Sequence, residues 1–415
     1  MKNYILTLPL MSLLMCLSAG VADADSNVYS PNITANNAQF VAPISDITQQ
    51  FAPRPSVDTK LDYEAWETLL QGMVIDTGIS VRKPAAKKRS ITGTRILTGS
   101  GHTSEYRLEG NRVLFSLMDN EYKSFLADYQ KDLVETANRL NISKLPRNEQ
   151  LVFWFNLHNA TVISEVAKAY PISSPKNIRI GAEKVGLDDA KMINIRGQAL
   201  SLRDIREKIV YRHWKSPDVI YGFFTADISS PSIQPYAYTS ANVSNLLDRG
   251  AVEYTNSIRG FRRFGSTRFV SSLYKNVAAF YFPDFEMDLS DHFGAHMRSE
   301  LYADYSGGGR LNPSIYEKDV ADMVKGELFN SRVQLEQLAA PGQASTANSQ
   351  GGLGGDSFIG GIDDTGRSRS VAARSNSNLR IILQEFREKY NTQRERGLAG
   401  IVEIEDIETV DPDIK

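Results

Sequence analysis

Residues 151–160 read Leu151-Val152-Phe153-Trp154-Phe155-Asn156-Leu157-His158-Asn159-Ala160. Five apolar side chains in succession leave no polar stripe on the first turn, so a helix here has no face for water. Such a helix crosses the centre of a domain instead of lying on its surface. The pattern predicts it over 148–170, with Pro171 as its stop. Asn156, His158 and Asn159 are then buried polar groups, and each costs about 1–3 kcal/mol if left unpaired. At about 3.6 residues per turn the two asparagines share a face, while His158 points about 100° away from Asn159. The asparagines are expected to tie the helix to the backbone of neighbouring loops. The alternative is a polar, ligand-binding pocket wall formed by Asn156, His158 and Asn159.

Working outward, Phe125, Tyr129, Leu133 and Ala137 recur at four-residue steps and predict a preceding helix, with a turn over 141–146. Trp66, Leu69, Leu70 and Met73 predict another, in a folded region that begins near Leu61. A hairpin or loop is expected over 82–110. Beyond Pro171 short strands are expected at 177–180 and 191–195. Ser201 reads as the N-cap of a helix carrying Asp204 in its first turn. Residues 219–225 read as a short buried strand, Ser240 as the cap of a helix through Val243 and Leu247, and 270–280 as helical. The sum is an α+β fold: a mainly helical single large domain over 60–340, with five to eight helices around a small β-sheet.

The ends have another character. Lys2 precedes an apolar run from Ile5 to Leu17 that closes on Ala22-Asp23-Ala24, the pattern of a cleaved secretory signal over 1–24. The run is shorter than the ~20 residues that a membrane span needs. Cys16 is the only cysteine and lies inside it. Cleavage would leave a thiol-free chain, without disulfides, a thiolate nucleophile or thiolate metal ligands. A proline-bearing flexible leader is expected over 25–59. A linker is expected over 341–378, where eight glycines and seven serines fall in 38 residues. Residues 379–415 are read as an amphipathic helix followed by an acidic tail with a possible edge strand. Among 415 residues, 47 basic side chains nearly balance 49 acidic ones, which gives no electrostatic reason to expect a nucleic-acid partner. The expected location is periplasmic or secreted, the expected partner an envelope protein or a small ligand, and no integral membrane segment is foreseen.

From Leu151 to Ala160, through Tyr170-Pro171, Leu200–Ile205, Ile220–Phe224, Ser230-Pro231 and Ser271–Tyr274, the chain resembles the bacterial and plant family called domain of unknown function 547. The ordered succession covers about residues 60–300 and implies that family's fold. Two departures stand out. The family often has Glu-His where this chain has Arg206-Glu207, and often has cysteine near Thr225 and at Ser230. Any chemistry that those family residues share would be lost here.

Three constellations carry candidate chemistry. His158, Asp227 and Ser229 are a possible catalytic set for a thiol-independent envelope hydrolase or transferase, although no G-x-S-x-G elbow accompanies them. Thr225, Asp227 and Ser230 would leave the end of the expected strand as a binding loop, or simply form a turn capped by side chains. His292-x3-His296-x3-Glu300 places two imidazoles and a carboxylate at helical spacing, with Ser290 as cap and Asp288 or Asp291 close enough to complete a metal site. No organic cofactor is expected, and a divalent metal is possible. The leading reading is a binding or structural-interaction protein of the cell envelope.

Overall fold

The computed structural model describes residues 46–85, 104–323 and 325–326, with the backbone of 360–362, 368–370 and 404–406. The signal segment, most of the linker and the helix expected from residue 379 lie outside the described residues.

Among the described residues six helices of eight residues or more carry the fold: α1 (Glu64–Met73), α2 (Asn120–Arg139), α3 (Arg147–Ala169), α4 (Val243–Thr255), α5 (Phe285–His296) and α6 (Ser299–Ser306). The largest sheet has three strands, β1 (Phe261–Phe264), β2 (Thr267–Ser271) and β3 (Arg310–Ile315). β2 lies in the middle, antiparallel to β1 and parallel to β3. The remaining pairings are two-stranded. One of them joins Thr59–Leu61 antiparallel to Ile404–Asp406, the edge strand foreseen for the acidic tail. The molecule is mainly helical α+β, but its centre is a helix and not a sheet. None of the described helices is long and apolar enough to cross a membrane.

α3 is that centre. Every residue from Glu149 to Ser164 is buried, as the unbroken apolar run requires. Trp154 meets Phe51 and Phe153 edge-on, with ring centroids 5.2 and 5.1 Å apart. Phe155 packs on Phe223 and Tyr238, both at 4.9 Å. Burying each such ring contributes about 1.5–3 kcal/mol. The contact is close enough to dictate glycine at 222, where a Cβ would fall 2.4 Å from the Phe155 ring. α1 joins the same core through Trp66, stacked on Tyr129 of α2 at 5.2 Å.

Several local expectations are corrected. Folded structure is already present ahead of Leu61: a short helix spans Asp46–Gln50, and Ile47 and Phe51 belong to the core. Residues 217–222 form a 3-10 turn opened by Pro217 and capped by Ser216, where a strand was expected. Among the described residues no strand pairs with this segment, and Asn159 of α3 takes the Gly222 carbonyl and the Phe224 amide instead. The helical reading of 270–280 holds over Ser272–Asn276 and Ala278–Tyr281, but its first two residues, Val270 and Ser271, belong to β2, whose alternating burial follows its sheet face. Two caps also move. The turn before α4 is held by Thr239 and Asn242 in place of Ser240, and α5 is capped by Asp284 in place of Ser290. Ser201 does open its helix, exchanging bonds with Asp204 as a capping pair; that helix continues in π form over Asp204–Val210.

Candidate functional site

The polar residues of α3 divide into two clamps and a buried relay. Asn156 Nδ2 donates to the Tyr238 carbonyl (2.7 Å), and the Tyr238 amide returns a bond to Asn156 Oδ1 (3.2 Å). Asn159 Nδ2 donates to the Gly222 carbonyl (2.9 Å), and its Oδ1 accepts from the Phe224 amide (3.0 Å). Each asparagine thus stands in for a strand neighbour at a buried backbone segment. His158 is fully enclosed, with Nδ1 3.2 Å from Asn159 Oδ1 and Nε2 2.8 Å from Arg206 Nη1. Arg206 is held in turn by Asp188 at 2.7 Å. Since guanidinium only donates, Nε2 accepts and the proton sits on Nδ1. Burial first, and then the Arg206 charge, push the imidazole down to about 3. Burial alone would raise the Asp188 carboxyl, but Arg206 and Arg203 bring it below its ordinary value.

The loop after Phe224 is separately occupied. Thr225 Oγ1 donates to Asp227 Oδ2 (3.0 Å), and Ser230 Oγ donates to the Asp227 carbonyl (2.9 Å). Ser229 Oγ accepts from the Glu317 amide, and Asp227 forms a β-bridge to Val320. Among the described contacts His158 meets Asn159, Arg206 and Phe223, and neither Asp227 nor Ser229. The catalytic grouping drawn from the sequence is therefore not assembled, and the binding-loop residues Thr225, Asp227 and Ser230 bond mainly to one another and to their own backbone. The strand-end argument for a ligand loop also falls, because the preceding segment is a turn.

Burial pushes the Asp227 carboxyl up to about 6, against the opposing effects of Thr225, Lys176 and the Ser229 and Ser230 amides. The folded state therefore holds this proton more tightly than the unfolded chain does. Its contribution to stability is complete below about pH 4 and is lost as pH rises through about 6. A shift of that size corresponds to roughly 3 kcal/mol. Asp227→Asn is expected to gain on the parent by that order between pH 4 and 7 in denaturant titrations. A difference independent of pH would contradict this.

The third constellation is assembled, with a changed membership. His292 and His296 lie one turn apart on α5, with ring centroids 4.9 Å apart. Their carboxylate partner is Asp218 of the 3-10 turn: Asp218 Oδ1 is 3.0 Å from His296 Nε2 and 3.8 Å from His292 Nδ1. Glu300, the carboxylate expected from spacing, is not part of it. α5 ends at His296, Met297 and Arg298 are extended, and Glu300 belongs to α6 beside Arg82, Arg298 and Asp304. Asp288 bonds the Asp284 amide at the start of α5 instead. The hydrogen bond that His296 donates to Asp218 raises the affinity of His296 for its proton, while burial lowers His292 to about 4. Burial would raise the Asp218 carboxyl, and His296 and His292 bring it down.

Spacing in the sequence revealed the two histidines but hid Asp218, which lies about seventy residues upstream. Its one local signal was Ser216-Pro217-Asp218, the opening of a capped turn. Arg206, Tyr221 and Asp248 carried no signal of their own.

These features define a helical α+β domain built on a buried polar-clamped helix. Residues 142–255 match the family described as protein of unknown function, DUF547. The matched span, consistent with the motifs, takes in α3, the Asp218 turn, the 225–231 loop and α4 but ends before α5. No curated protein and no solved structure matches the chain.

Proposed function

We propose that this is an exported binding protein of the cell envelope, which recognises an envelope protein or a small ligand and performs no nucleophilic catalysis. The observation that carries the reading is the commitment of the motif residues. Asn156 and Asn159 are used up on backbone, His158 on Arg206, and Ser229 on the Glu317 amide. A serine nucleophile needs a base within hydrogen-bond reach, and Ser229 has no imidazole among its described partners. The chain's departures at Arg206-Glu207, Thr225 and Ser230 support the same reading.

One measurement tests both halves. The protein recovered from the periplasm or medium is treated with a fluorophosphonate, a reagent for activated serines, and its intact mass is determined. The expected mass is that of a chain beginning at Asp25, without an adduct. A species retaining Cys16 would overturn export by cleavage, and an adduct mapped to Ser229 would overturn the non-catalytic reading.

A further inference from the structure

We propose that Asp218, His292 and His296 form a binding site for a divalent first-row transition metal of the zinc class. This goes beyond the binding role above and stands independently of it. One ligand atom from each of the three residues lies within 4.8 Å of the other two. Tetrahedral zinc with ligands at about 2.0–2.1 Å separates neighbouring donors by roughly 3.3 Å, and the Asp218–histidine distances of 3.0 and 3.8 Å bracket that value.

The outward nitrogens make the stronger case. A histidine that ligates a metal through one ring nitrogen gives the other to an oxygen, which fixes the ring and its tautomer. His292 turns Nδ1 toward Asp218 and places Nε2 2.7 Å from the Tyr221 hydroxyl, which lies 3.2 Å from that of Tyr274. His296 turns Nε2 toward Asp218 and places Nδ1 3.5 Å from Asp248 Oδ1, at ion-pair and not hydrogen-bond range. The Asp218 carboxylate is itself oriented by Ser216 Oγ at 3.1 Å. Asp218 and His292 are thus each held from behind by a hydrogen bond, while His296 has only the Asp248 carboxylate at ion-pair range. His292 is buried while Asp218 is partly exposed, so the cluster lies at the margin of the core.

The donor set selects the ion class. Two imidazoles with one carboxylate suit zinc, cobalt, nickel or iron, whereas magnesium and calcium prefer oxygen alone. The chain supplies three ligands, leaving a position for water or a ligand.

The test is isothermal titration of Zn²⁺ into the untagged, chelator-treated chain, with metal content measured after dialysis. One equivalent is expected to bind. Asp218→Asn and His296→Gln should each weaken binding by at least tenfold, whereas Glu300→Gln should leave it unchanged. Tyr221→Phe should weaken it by about 10–100-fold through the lost outer bond. Circular dichroism identifies variants that fold; His292, being buried, is replaced only in support of the others. Co²⁺ in place of zinc should give visible bands of a four- or five-coordinate ion, lost in folded Asp218→Asn. Failure of the parent chain to bind an equivalent, or undiminished binding by a folded Asp218→Asn, His296→Gln double variant, would overturn the site.

Discussion

Asn159→Ala is expected to lower the unfolding free energy by roughly 2–6 kcal/mol, because two buried backbone groups lose their partner at about 1–3 kcal/mol each. The Gly222 carbonyl and the Phe224 amide are both satisfied by this one side chain, and no strand is present to replace it. His158 Nδ1 loses its acceptor in the same change. Asn138 provides the control. It makes three bonds to backbone, one more than Asn159, to the Val134 and Asn194 carbonyls and from the Arg196 amide, but on the exposed end of α2. Water can replace that side chain, so Asn138→Ala should cost under about 1 kcal/mol. Equal losses for the two variants in urea melts would mean that the α3 clamp is not what secures the 222–224 segment.

Arg259→Met is expected to cost about 3–5 kcal/mol, the range for removing one partner of a buried ion pair. Arg259 is 2% exposed and faces Glu253 with Nη2 at 2.7 and 2.5 Å from the two carboxylate oxygens. Its Nη1 donates to the Ile228 and Ser230 carbonyls at 3.2 and 2.6 Å, and its Nη2 reaches Ser232 Oγ at 2.9 Å. The guanidinium therefore holds the 228–232 loop against α4. It also explains a glycine: a Cβ at Gly110 would fall 2.3 Å from Nη1, and the φ of +71° there already disfavours other residues. A second change, Glu253→Leu, should restore part of the loss by removing the stranded carboxylate. If the double variant is as unstable as the sum of the single ones, the pair is not the source of the effect.

How far the sequence could be read follows from the range of each signal. α3 was legible because five consecutive apolar residues admit one placement, and its asparagines because buried amides must be paired. The partners of those amides, Gly222, Phe224 and Tyr238, were not legible, since nothing local relates residues more than sixty positions apart. The apolar stretch at 219–224 satisfied the pattern of a buried strand, yet it lies in a helical environment where side chains take over the work of a ladder. Periodicity found His292 and His296 and then carried the pattern one step too far to Glu300, because the break at Met297-Arg298 contains neither glycine nor proline. The family motifs were legible as an order of short words, and the matched span of 142–255 follows most of that order.

Thr59 and Asp406 face each other across the pairing of the first described strand with the last. A cut anywhere between the sheet strand Arg310–Ile315 and Ile404 removes one side of this zipper. Thr59–Leu61 would then become an uncovered edge strand, a template on which a second molecule can stack, although the Leu61 amide keeps its bond to Glu149. A shortened recombinant form is therefore expected to self-associate more readily than the full-length chain.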